Sequence, residues 1–209
     1  MSEYQYYEFT AIDRPLDEHQ MGQLRALSTR ARITPTGFVN SYQWGDLRGD
    51  PREMMERYFD AFLYLANWGT HRAMFRIPGR LLDLGVAERY FVGDSAQAWV
   101  SGEHLILDVY SEDDEGDWEN DGEGLLAGII PVRAQLACGD LRALYLAWLT
   151  CVQAGELDEE ESEPPVPAGL GALGGGLRSL ADFLRIDPDL LAVAATASPP
   201  PRRQGGVVG

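Results

Sequence analysis

The chain has 209 residues, 33 acidic and 17 basic side chains, a formal net charge of −16 and 45% hydrophobic residues. That apolar share excludes a disordered chain, and the length suits one domain, or one domain with a small appendage, that needs neither disulfide nor metal to fold. All 17 basic residues are arginine, which excludes a P-loop, a kinase strand lysine and a Schiff-base nucleophile.

Residues 4–12 (YQYYEFTAI) predict a strand with Tyr7, Phe9 and Ala11 on its core face. Asp17 opens a helix through a capping box to Gln20, with Met21, Leu24 and Leu27 at helical spacing. Residues 38–44 predict a second strand, with Phe38, Asn40, Tyr42 and Trp44 on one side. Asp50-Pro51-Arg52-Glu53 combines an N-cap, a first-turn proline and a capping-box glutamate. It predicts a helix to about residue 66, carrying Met55, Tyr58, Phe59, Phe62 and Leu63 on one face and stopped by Trp68-Gly69. Residues 73–77 predict a third strand, 80–84 a helical turn, and 97–101 with 104–110 a hairpin around Gly102. Gly124 starts a helical stretch with Pro131 in a first turn, and a second helix follows over 141–154.

These elements predict an α+β fold: a mixed β-sheet of about five strands with helices packed on one face, followed by a tethered small helical tail. The domain spans 1–155 and carries an acidic loop at 112–123. Residues 156–176 are an acidic, Pro- and Gly-rich linker, 177–197 a short helical pair capped at Asp187-Pro188, and 198–209 a disordered tail. Cys138 and Cys151 lie in apolar helical text and read as small buried hydrophobes. Residues 1–4 show no leader pattern, and the apolar run 143–155 is shorter than the roughly 20 residues of a membrane span. The expectation is a reduced, cytoplasmic protein with no metal, no cofactor and no membrane contact.

Several constellations stop short of a chemistry. Val92-Gly93-Asp94-Ser95 resembles an esterase block but lacks the glycines of a nucleophile elbow, and His19, His71 and His104 are scattered. Asp117-Trp118-Glu119-Asn120-Asp121-Gly122 opens like a calcium loop, yet Gly128 stands where the bidentate glutamate belongs. The glycines at 169–176 follow no strand, so they read as a hinge rather than a phosphate cradle. The second helix of the 177–197 pair has no Arg, Lys, Asn or Gln to read DNA, so no direct nucleic-acid binding is expected.

Tyr4-Gln5-Tyr6-Tyr7-Glu8-Phe9 and Ala11-Ile12-Asp13-Arg14-Pro15-Leu16, with Tyr42-Gln43-Trp44-Gly45-Asp46 and Ala66-Asn67-Trp68-Gly69-Thr70, resemble an uncharacterised bacterial protein family common in GC-rich genomes. The resemblance covers residues 1–92 and, more loosely, 177–198. It implies a bacterial, intracellular protein and supplies no catalytic residues.

The first expectation is a non-catalytic adaptor of a multi-protein system, docking on a protein partner that carries basic charge. Trp118, Glu119 and Asp121 in the acidic loop and Leu180, Phe183 and Leu190 in the helical pair are its candidate contacts. The second is an enzyme whose site assembles in three dimensions from Asp13, Arg14, Asp60, Asn67 and His71, with Asn40 and Asp46 nearby. The third is an acidic nucleic-acid mimic. Residues 112–123 hold eight acids and 156–163 six, neither stretch with a base, which leaves nineteen acids against seventeen arginines elsewhere. The charge is therefore local, and the remaining body is nearly neutral.

Overall fold

The computed structural model describes residues 3–113, 121–158 and 160–200. Seven strands form one sheet: β1 (Gln5–Thr10), β2 (Arg32–Thr34), β3 (Gly37–Tyr42), β4 (Ala61–Ala66), β5 (Thr70–Pro78), β6 (Ala96–Ser101) and β7 (His104–Glu112). Their order is β2-β3-β1-β4-β5-β7-β6, and every neighbouring pair is antiparallel. The fold class is α+β as expected, but the sheet is not mixed and has two strands beyond the expected five.

The two additional strands escape periodicity for different reasons. β2 is three residues long, too short to show a pattern. β4 falls inside the helix expected to reach residue 66. That helix, α2 (Pro51–Arg57), starts at the Asp50 cap as expected but ends at Tyr58. Its sequence continuation, Ala61-Phe62-Leu63-Tyr64-Leu65-Ala66, is a central strand covered on both faces. A short apolar run without alternation fits a doubly buried strand as well as a buried helix, so sequence alone assigns it badly. Trp68-Gly69 is the hairpin turn into β5. Gly69 has φ +107, and a Cβ there would lie 1.7 Å from the Asp113 carbonyl oxygen, so glycine is required on both counts.

Helices cover both faces, which corrects the one-sided expectation. Successive residues of β1, β4 and β5 are buried on opposite sides, and each side needs its own cover. α1 (Glu18–Leu27) and α2 close one core, around Phe9, Phe38, Phe62 and Met74. On the other face α3 (Leu84–Ala87), α4 (Leu125–Ile129), α5 (Pro131–Ala137) and α6 (Arg142–Gln153) enclose Leu63, Leu65, Phe75 and Leu107.

The helical pair read as a tethered tail also lies in this second core. α7 (Gly175–Phe183) and α8 (Pro188–Ala197) bring Leu177, Leu180, Phe183 and Ala194 into it, and α7 packs on α4, α5 and α6. The physical reason is the apolar stripe of α7, which needs burial against another element. The connecting segment is held to the body as well. The Tyr90 hydroxyl donates to the Pro165 carbonyl at 2.9 Å, and the Tyr145 hydroxyl to Glu163 Oε1 at 2.5 Å. Among the described residues no helix is long and apolar enough to cross a membrane.

Candidate functional site

α1 and α2 cover only part of their side of the sheet. Beyond Phe62 the sheet floor opens into a cleft of about 600 Å³. One row of cross-strand neighbours runs over this floor: Tyr7 on β1, Tyr64 on β4, Arg72 on β5 and Tyr110 on β7. The next row carries Phe62, Met74, Asp108 and Gln97. The two-residue period of each strand, combined with its register, places these side chains on one face.

Arg72 holds Asp108 in a bidentate pair, Nε to Oδ1 at 2.8 Å and a terminal nitrogen to Oδ2 at 2.6 Å. From α2, Arg52 stacks its guanidinium carbon 4.0 Å from the Trp99 ring centre and donates to Gln97 Oε1 at 3.0 Å. The Tyr7 hydroxyl donates to Asp46 Oδ1 at 2.6 Å, and the Tyr64 hydroxyl to Gln5 Oε1 at 2.9 Å. Burial first, then the Asp46 bond, pushes the Tyr7 phenol far up. Burial and the Asp46 charge push Tyr64 up to about 12. Both phenols keep their protons near neutral pH, so they offer hydrogen bonds and ring surface rather than a base or nucleophile. Burial works against the charge of Arg72, but the Asp108 hydrogen bonds and charge outweigh it and raise its pKa. The arrangement is suited to holding a partner group by stacking, hydrogen bonds and charge.

The residues proposed from sequence as a catalytic set do not line this cleft. Asp60, the residue just before β4, is buried beside Arg76 of β5, and its Oδ2 accepts the amides of Ile12 and Asp13 at 2.6 and 2.9 Å. Arg133 joins Asp13 to this cluster with two bonds, at 2.9 and 2.5 Å, and its Nε donates to the Arg76 carbonyl at 2.7 Å. Arg14 is exposed. His71 lies at the opposite end of β5 from Arg76, roughly 17 Å away at the usual strand rise. It is buried edge-on against Phe183, ring centres 5.2 Å apart, with Nδ1 3.2 Å from the Gly69 carbonyl oxygen. Asn67 Oδ1 accepts the Tyr4 amide at 3.0 Å, and Asn40 donates to Ser28 Oγ at 3.0 Å. The fold thus gathers Asp13 and Asp60 around arginines and sets Arg14 and His71 apart from them.

Of the candidate partner contacts, Trp118 and Glu119 lie outside the described residues, as does most of the calcium-like loop. Asp121 is exposed, and its carbonyl accepts the Tyr4 hydroxyl at 2.8 Å. Leu180 and Phe183 are covered by the chain's own core, and Leu190 is partly so. Ser95 donates through Oγ to Glu156 Oε1 at 2.6 Å and through its amide to Oε2 at 2.9 Å, so the esterase-like block anchors the segment after α6. Cys151 is buried as expected, but Cys138 is exposed because it sits at the end of α5 rather than within it. Among the described residues no three His, Cys, Asp or Glu side chains are grouped to hold a metal ion.

Sequence reasoning missed Arg52, Tyr64, Arg72, Asp108 and Tyr110. A usable signal was present: Asp108 interrupts the apolar run Leu105-Ile106-Leu107, and a charge inside a buried strand requires a partner. In comparisons with known proteins, the chain matches no family model, no curated protein and no solved structure.

Proposed function

We propose that this chain is a non-catalytic protein-interaction module for a partner that carries basic charge. The observation behind this reading is the partly exposed row Tyr64, Arg72 and Tyr110, backed by the buried Tyr7 and flanked by Trp99 and Arg52. Tyr, Trp and Arg are the side chains that most often anchor interfaces, because each combines a broad contact surface with a polar handle. Here they are held in place by hydrogen bonds and stacking before any partner arrives, which lowers the ordering cost of binding. The acidic residues Asp94 and Glu112 on the same cleft, and the acid-rich stretch of sequence that begins at Glu112, favour a basic partner. The alternative enzyme has less support, since Arg14 and His71 sit apart from the cluster that holds Asp13 and Asp60.

The test is a quantitative capture from the native host with the full chain and its Tyr64→Ala variant as paired baits. The expected result is a stoichiometric protein retained by the wild type, released by raised salt, and lost from the variant. Recovery of no such protein would count against the reading.

A further inference from the structure

We infer that the outer edge of β6 is a strand-addition site, on which an extended basic segment of the partner pairs with the backbone of Ala98 and Val100. This rests on the interaction-module reading above and supplies its binding mode.

The direction of the edge groups follows from the hairpin. Ser101 and His104 close a two-residue turn, in which Gly102 has φ +59. A closing pair exchanges hydrogen bonds, so bonding to β7 falls on alternate residues: Ser101, Trp99, Gln97. The Tyr110 amide donating to the Ser95 carbonyl at 2.9 Å continues that phase. Ala98 and Val100 therefore aim their N–H and C=O groups away from the sheet, where neither residue has a hydrogen-bond partner among the described residues. Those four groups match a short antiparallel or parallel ladder with an added strand.

Edge strands are usually blunted by charge, proline or shortness. The other edge obeys this, since β2 is only three residues long and carries Arg32. β6 does not: Ala-Gln-Ala-Trp-Val-Ser has no charge and no proline, and Val100 is 55% exposed. A groove of about 590 Å³ runs beside it, with Phe91 and Ala98 on its walls, and shares Arg52, Asp94 and Gln97 with the aromatic cleft. A second groove of about 540 Å³ continues from Glu88 and Val92. Together the two grooves present six acids, among them Glu88, Asp94 and Glu156, against Arg52 and Arg89. That balance suits arginine or lysine side chains on the added strand. It disfavours a second copy of this chain, which would bring the same acids face to face.

The experiment selects a random twelve-residue peptide display library on the full-length chain and re-measures the recovered peptides on variants. Ala98→Pro removes one outward N–H without touching the β7 ladder, and E88R/D94R reverses groove charge without touching the strand. Unfolding midpoints identify any variant that has lost its fold, in which case the other variant decides. The expected result is basic peptides that bind at least tenfold more weakly to both variants and that slow amide exchange at Ala98 and Val100. Peptides indifferent to both variants but lost with Tyr64→Ala would overturn the edge site and leave the interaction module standing. Acidic or uncharged peptides would overturn the basic occupant. A homodimer dissociated by Ala98→Pro would show self-pairing and overturn the proposal. A selection that returns no binder would overturn both readings.

Discussion

Arg76 directs two guanidinium nitrogens at one oxygen of Asp60, Nε at 3.1 Å and a terminal nitrogen at 2.9 Å, while the other oxygen receives the Ile12 and Asp13 amides. Asp60 is 1% exposed and its strand end is fixed by this cluster. It ties β1, β4 and β5 together at one end of the sheet. Removing one partner of a buried pair leaves the other charge uncompensated, at a cost of about 3–5 kcal/mol. Asp60→Asn is expected to destabilise the fold by that amount in urea unfolding. Arg14→Ala, at an exposed side chain, should stay within about 0.5 kcal/mol of the wild type.

The same carboxylate sets an acid dependence. Burial alone raises its pKa, but the Asp13 and Ile12 amides and Arg76 outweigh burial and hold it below the ordinary aspartate range. A folded pKa below the unfolded one means the stabilisation is complete above the unfolded value of roughly 3.9 and is lost as pH falls through the folded value. Asp140 acts in the same direction: burial raises its pKa, and the Arg142 bonds lower it further than that. Unfolding midpoints are expected to fall as the pH drops below about 4. Asp60→Asn should flatten that acid limb; an unchanged limb would contradict the assignment.

Phe183 contacts His71 edge-on and belongs to the same core as β4 and β5. Truncating a buried phenylalanine costs about 3–5 kcal/mol. Phe183→Ala should therefore lower the midpoint of the whole domain in one transition, followed by both circular dichroism and tryptophan fluorescence. A domain midpoint that does not move would show α7 to be energetically separate from the sheet.

Burial, then the Glu156 charge, pushes the Cys151 thiol up to about 11, so little thiolate is present at neutral pH. Cys138 is exposed. A thiol reagent is expected to modify one cysteine per native chain, with peptide mapping to Cys138, and the second only after unfolding. Fast native labelling at Cys151 would mean that the α6 packing opens readily.

Local signals were legible where the cause is local. Asp17 caps α1 with its capping box, Asp50 caps α2 and Asp187 caps α8, each accepting backbone amides one turn inside the helix. The hairpin at Gly102 and the first-turn proline of α5 follow from the conformations those residues favour. The strand β4 was not legible because its residues are apolar on both sides, which erases the alternation that distinguishes strand from helix. Nor was the cleft, because its polar residues come mainly from five different strands and α2.

Residue types alone located the caps of α1, α2 and α8, the turn at Gly102, the concentration of charge and the absence of lysine chemistry. Tertiary structure alone decided that both sheet faces are covered, that α7 belongs to the core, and that Asp108 meets Arg72 across 36 residues. Caps and turns act over a few neighbouring residues and leave a trace in the sequence. Strand register joins distant residues, and nothing local to either one names its partner.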